Sequence, residues 1–323
     1  MRGNVCPASE KGEDQGGISA VFGGSMKQSA DGRTRFLLAD KAVRGVLVAG
    51  TALVKEMRIR HGLGVLETLV LGHACLAATL LATSLKGEKD RLALRIECSG
   101  PIKGLVAEAN TAGEVRGYLR QTPIPLERPL DSFDLAPFFG AGFLSVSTQL
   151  EGAGQPFTGT IMLEYGNLAL DLSHYFLTSE QTPTAIALSI QFDGAGLPVG
   201  AGGLLLQAMP GAEPELMAEL EKRLAELPSL GRYFAEGGGP EGLLAKEFGA
   251  FQPELLTTRP VLFACPCSRE EITARLLTLP EKDLDELRTG PFPVETCCHY
   301  CNTTYLFDRQ DMEKLWQERT GGR

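Results

Sequence analysis

Four cysteines near the end of the chain fall in two tight pairs, Cys265-Pro266-Cys267 and, after 30 intervening residues, Cys298-His299-Tyr300-Cys301. Each pair offers two sulfurs from one short piece of backbone, and four thiolates suit a tetrahedral zinc ion. The first 33 residues carry Met1, Arg2, Glu10, Lys11, Glu13 and Asp14 among scattered glycines and lack the apolar run of a signal peptide, so a cytoplasmic chain is expected. In that reducing compartment a disulfide framework is disfavoured, and the pairs read as a metal or redox centre rather than as unrelated buried thiols. One zinc ion held by Cys265, Cys267, Cys298 and Cys301 is the expectation.

The residues around the pairs support a small folded module. Ser268 and Glu271 read as a capping box that opens a helix striped by Ile272, Leu276 and Leu279, with Pro280 ending it. Phe263, Tyr305, Phe307, Met312, Leu315 and Trp316 are the candidate core. So small a core needs its metal, which would contribute about 10 kcal/mol or more to folding. The close C-x-C pair also sets the site apart from a ribbon built on two C-x-x-C knuckles, because adjacent thiolates are redox-competent. A bond between Cys298 and Cys301 closes the less strained ring and is expected to form before one between Cys265 and Cys267; either bond evicts zinc. Cys297 reads as a spectator, with disulfide competitor as the sharper alternative, and His299 as exposed rather than a fifth ligand.

The rest of the 323 residues is long enough for a sizeable core. A net charge of −9 argues against a partner bound by broad phosphate neutralisation, so no specific nucleic acid is expected. Residues 68–85 tempt a membrane-spanning reading, but His73 and the small residues within favour a helix packed inside a domain, and no membrane partner is expected. Residues 1–33 read as a disordered extension, with Met26 as a conceivable start. Residues 34–212 read as an α+β core domain of antiparallel sheet with covering helices: strands at 45–54, 92–98, 105–109, 115–120, 143–150 and 157–163, and helices at 63–85 and 168–177. Gly200 to Gly203, Pro210 and Gly211 mark its end. Residues 213–258 hold nine Glu against four Lys and Arg, with a stripe of Leu216, Leu220, Leu224 and Leu227, a break at Gly237-Gly238-Gly239-Pro240 and a second amphipathic run at 243–248. That is a metastable helical linker, able to fold only by docking. Residues 259–323 complete the chain as the zinc-binding domain.

These residues resemble the redox-regulated 33 kDa chaperonins, the heat shock protein 33 family. The matching stretches are Phe263-Ala-Cys-Pro-Cys-Ser-Arg-Glu270, Thr-Leu-Pro280, Cys298-His-Tyr-Cys-Asn302 and Tyr305-Leu-Phe307. In the body, Leu85-Lys86-Gly87, Gly100-Pro101, Val115-Arg116-Gly117-Tyr118, the run from Tyr175 to Thr184 and Gly202-Gly-Leu-Leu-Leu-Gln207 follow in order. The resemblance covers about residues 35–316. It implies an ATP-independent holdase, not an enzyme and without catalytic residues, that binds unfolded or partially folded client proteins under oxidative stress. It further implies an inactive, reduced, zinc-bound form, disulfides Cys265 with Cys267 and Cys298 with Cys301 on oxidation, zinc release and linker unfolding. Leu216, Leu220 and Leu224 are then client-binding candidates, and the oxidised form a homodimer. The chain departs from the family at Gly72-His73, where Gly-Glu is usual, at Gly290-Pro291-Phe292-Pro293, and in having Cys297.

Two other readings compete: a zinc-stabilised module that binds protein or RNA constitutively without redox switching, and a thiol oxidoreductase using Cys298 and Cys301. The second lacks a thioredoxin-like context. Residues 179–184 gather Ser, Glu and Gln but read as a helix-to-strand turn rather than a triad. Gly202-Gly203 is followed by an apolar strand and no Lys-Ser/Thr, so it is not a nucleotide loop. His61, His73 and His174 are scattered. Cys6, Cys75 and Cys98 read as tail, helix-core and strand-core thiols.

Overall fold

The structure, a computed structural model, describes residues 31–126 and 134–321. The chain divides into two compact units, the larger ending at Cys265 and the smaller beginning at Pro266. The fold is α+β with antiparallel sheets.

In the larger unit β1 (Gly32–Leu38) and β2 (Val43–Ala49) form a hairpin, followed by α1 (Thr51–His61) and α2 (Val65–Leu81). Next come β3 (Arg91–Cys98), β4 (Gly104–Asn110), β5 (Glu114–Leu119), the single turn α3 (Ala136–Phe139), β6 (Gly142–Gln149), β7 (Phe157–Met162) and α4 (Leu168–Thr178). The hairpin β8 (Thr184–Phe192) and β9 (Pro198–Ala208) leads to α5 (Pro214–Ala225), α6 (Leu230–Ala235), α7 (Pro240–Phe248), β10 (Glu254–Pro260) and β11 (Leu262–Phe263). The first sheet has the order β10-β1-β2-β9-β8 and the second β11-β5-β4-β3-β6-β7, with β11 alone running parallel to its neighbour.

Helix α2 packs against strands of both sheets. It is buried on nearly every side, which is why its sequence carries no polar stripe. Extended to Ser84, this helix is long and apolar enough to cross a membrane, yet 89% of its 18-residue apolar window is buried within the protein.

Several expectations need correction. The ordered chain already includes Gly32 and Arg33 as the start of β1, while residues 1–30, and with them Cys6 and Met26, lie outside the described residues. The strand expected over 45–54 stops at Ala49. Gly50 breaks it, Asp31 Oδ2 accepts the Leu53 amide at 2.7 Å, and Leu53, Val54 and Met57 turn one helical face inward. Gly200 to Gly203 do not end a unit but lie inside β9. A Cβ on Gly200 would sit 1.9 Å from the Gly231 carbonyl oxygen, and one on Gly202 would strike the Phe234 ring, so these glycines are where the backbone of α6 comes down onto the sheet.

Helices α5, α6 and α7 dock on the first sheet. Met217, Leu220, Leu224, Leu230, Phe234, Leu243, Leu244 and Phe248 form one core with Phe36, Leu38, Val43, Leu47, Leu204 and Leu206 of the strands. Leu216 and Leu227 flank that stripe half-buried, because Met217 takes the inward position one residue on. Arg223 pairs with Glu247 at 2.7 Å and ties α5 to α7.

The smaller unit contains α8 (Arg269–Leu276), α9 (Glu281–Thr289), the hairpin β12 (Val294–Cys297) with β13 (Thr304–Phe307), and α10 (Arg309–Thr320). Ser268 accepts the Glu271 amide at 3.2 Å, as its spacing predicts, and Asp308 with Asp311 caps α10 reciprocally. Ile272, Leu276, Leu284, Val294, Phe307, Met312 and Leu315 are the core, with Tyr305 and Trp316 against it. Phe263 is not part of this core. It lies in β11, paired with Val115 of β5 and edge-on to His61 at 6.0 Å, because its backbone completes the second sheet.

Candidate metal centre

Three local structures deliver the four sulfurs. Cys265 follows β11, whose extended course is fixed by the parallel pairing with β5 and by the Ala264 amide donating to the Val115 carbonyl at 2.9 Å. Two residues later comes Cys267, directly before the Ser268 cap of α8. Cys298 and Cys301 stand on the tight turn between β12 and β13. There the Asn302 amide donates to the Cys298 carbonyl at 2.7 Å and the Cys298 amide to the Thr303 carbonyl at 2.9 Å. Asn302 sits at φ +57°, a left-handed position that asparagine tolerates better than most residues.

The ligand atoms of Cys265, Cys267, Cys298 and Cys301 all lie within 4.8 Å of one another. The Cys267 and Cys301 sulfurs are 3.3 Å apart. Sulfurs about 2.3 Å from a tetrahedral zinc stand roughly 3.8 Å from each other, so the cluster has the size of a four-thiolate shell. These residues fit a metal ion, and the all-sulfur donor set favours a soft or borderline one. Cys298 and Cys301 are buried while Cys265 and Cys267 are half-buried, which leaves one side of the cluster open to reagents.

Neighbouring groups favour the anionic sulfur. Hydrogen bonds from the Cys298 thiol, from Thr303 and from the Cys267 thiol outweigh desolvation and hold the Cys301 thiol well below the usual range. The Tyr305 hydroxyl lies 3.2 Å from Cys267 Sγ and 3.0 Å from the Cys267 carbonyl oxygen. Within the larger unit, Arg116 Nη1 approaches Cys265 Sγ at 3.7 Å while the same guanidinium is paired with Glu108 at 2.7 Å. By its sequence pattern Tyr305 is a core residue only, and nothing local marks Arg116 for the site. The Arg116 contact joins residues 149 apart, a separation that no local periodicity reports.

None of the other described cysteines and histidines belongs to this cluster. His299 is exposed on the turn. Cys75 is buried in α2 against Met57, and desolvation raises its thiol to about 12. Cys98 ends β3. His61 meets Phe263 edge-on, and His174 pairs with Glu164 at 3.4 Å. The groups of 179–184 are spent on the turn between α4 and β8: Glu180 accepts the Tyr175 hydroxyl at 2.8 Å, and Thr184 accepts from Gln207 at 2.7 Å.

Comparison with known proteins gives a consistent result. The family model described as Hsp33 protein matches residues 31–308. The 33 kDa chaperonin of Ruminiclostridium cellulolyticum is 36% identical over 287 residues, covering 88% of this chain and 97% of the relative. That of Bacillus subtilis is 33% identical over 286 residues, covering 88% and 97%. The crystal structure of the 33 kDa chaperonin from Thermotoga maritima superposes with a TM-score of 0.82 at 33% identity, covering 91% of this chain and all of that one.

Proposed function

The chain belongs to the Hsp33 family, and from that premise we propose that it is a redox-regulated, ATP-independent holdase that captures unfolding cytoplasmic proteins under oxidative stress. The observation that carries this reading is the apolar face of the first sheet, with Phe36, Leu38, Val43, Leu47, Leu204 and Leu206, covered by three short helices. At 12, 6 and 9 residues, α5, α6 and α7 fall at or below the length at which isolated helices hold in water, so their order depends on docking. Undocking turns a continuous apolar sheet face, and the stripe of Leu216, Leu220 and Leu224, into surface for clients.

In the reduced state Cys265, Cys267, Cys298 and Cys301 would hold one zinc ion, which fixes four thiolates in a closed shell and organises the smaller unit. Hypochlorite takes an electron pair from each thiolate pair: the two sulfurs join, and chloride and hydroxide leave. The resulting bonds, Cys265 with Cys267 and Cys298 with Cys301, consume every metal ligand. Cys265 then loses its anchor, and it is continuous through β11 with β10, a strand exposed along its whole length at the sheet edge. Residues 213–258 act as the linker that melts, residues 34–212 as the client-binding core and 259–323 as the switch. The oxidised form dimerises, and no catalysed reaction is involved.

The test is suppression of thermal aggregation of an unrelated client, followed by light scattering, with zinc-loaded reduced protein and the same sample after hypochlorite. Protection by the oxidised sample alone is expected. Protection by both would make the metal module merely structural, and protection by neither would return the assignment to a constitutive interaction module.

A further inference from the structure

We infer that the larger unit carries a site for a polyvalent phosphate anion, built from Arg33, Arg35, Arg259 and Lys86, that clamps strand β10 onto β1. These four line one cavity of about 240 Å³, and no carboxylate lines it. Arg33 and Arg35 project from the same face of β1, and in the register of the pair Arg33 stands directly opposite Arg259 and Arg35 opposite Thr257. Like charges directly opposite on adjacent strands destabilise the pairing. Among the described residues none of the four basic side chains forms an ion pair.

Arg33 makes the absence of a counter-charge costly. Only 5% of it is exposed, and its guanidinium donates to the Thr111 carbonyl and, at 3.5 Å, to that of Asn110. Two carbonyls orient the fork without neutralising it. Burial, Arg259 and Arg35 all act to lower its pKa, which is the signature of a cation lacking its anion. In a chain of net charge −9, four positive groups around one cavity form a local exception. Guanidinium forks match phosphate oxygens bidentately, and the cavity exceeds what one carboxylate would fill. An anion held there touches both strands, replacing a cross-strand repulsion by two attractions. The site is independent of the cysteine cluster and of the holdase reading.

The experiment uses the full reduced, zinc-loaded chain. Calorimetric titration with inorganic phosphate, pyrophosphate or ATP, against sodium chloride of matched ionic strength, is paired with hydrogen exchange of residues 254–260. Saturable one-to-one binding of at least one phosphate probe is expected, weakened at least tenfold in R259Q and in R35Q, with β10 exchange slowed several-fold by the anion in the wild type. Tightest binding by ATP would mark a nucleotide as the source of the phosphate, and by pyrophosphate a free anion. The sign of the variant is diagnostic: without anion R259Q should protect β10 better than the wild type does, and with anion worse. No saturable heat, an equal effect of chloride, or wild-type binding by both variants would overturn the proposal.

Discussion

Tyr305 and His73 show how single side chains set the limits of the two units. The Tyr305 hydroxyl is placed to donate to a Cys267 thiolate across 3.2 Å, so it restrains a member of the cysteine cluster that is otherwise half-exposed. Groups of this kind are worth roughly 10–100-fold in metal affinity. Tyr305→Phe should therefore weaken zinc retention about tenfold in a chelator competition while leaving the larger unit's melting unchanged; unaltered affinity would reduce the contact to packing. His73 acts differently. Its Nε2 is buried without a hydrogen-bond partner among the described residues, and desolvation lowers the imidazole from 6.5 to about 4. The unfolded chain takes up a proton below pH 6.5 that the folded chain refuses until pH 4, so the stability held by the neutral ring is full above 6.5 and lost as pH falls toward 4. Between pH 7.5 and pH 5 the loss is about 2 kcal/mol. Urea unfolding of the wild type beside His73→Leu measures it, and an identical pH slope in the two proteins would remove the histidine as its source.

At the scale of elements, the close approach of α6 to β9 decides whether the three-helix cover stays down. A Cβ on Gly231 would lie 2.6 Å from the Gln191 amide nitrogen and 3.1 Å from the Gly200 carbonyl oxygen, both backbone atoms that cannot step aside. Gly231→Ala should lift α6, raising hydrogen exchange across 214–248 several-fold and giving the reduced protein part of the oxidised protein's capacity to suppress aggregation. An unchanged exchange pattern would mean the sheet absorbs the methyl. This contact also marks where the sequence was legible and where it was not. The alternation of Leu92, Leu94 and Ile96 gave β3 its face, and the heptad-like leucines gave α5, because each pattern reports one local surface meeting one core. β9 broke its own pattern with Gly200 and Gly202 to admit a helix 30 residues away, so a strand read as a boundary. α6 is too short to show a period, and β11 owes its place to pairing with β5 rather than to its own two residues. The clustering of the four cysteines was legible for the opposite reason: a shell of donors around one ion imposes pair spacing on the chain itself.

For the whole molecule, the unequal cores of the two units set how it should fail when metal is removed. The larger unit buries two sheets against α2 and a docked helical cover, an interior that uses none of the four cysteines at the centre. The smaller unit has seven buried apolar side chains for its core, the two outermost of them 8–9% exposed, and its β12–β13 turn holds two of the clustered cysteines. A core of that size supplies only a few kcal/mol at best, less than the ~10 kcal/mol or more that a structural zinc site contributes. Stripping the reduced protein with a thiol-reactive mercurial, then restoring the thiols under a chelator, should therefore unfold the smaller unit while the α2-centred core of the larger unit stays folded. In a nuclear magnetic resonance spectrum the amides of α8, α9 and α10 should collapse into the unfolded range while those of α2 and of the second sheet keep their dispersion. Readdition of zinc should return the lost set. Dispersed smaller-unit amides in the metal-free protein would show that its apolar core and its ion pairs, such as Arg269 with Asp311 at 2.7 Å and Arg288 with Asp285 at 2.6 Å, suffice without the ion. Exposed pairs of that kind are worth at most about 1 kcal/mol each, which is why collapse is the expected outcome.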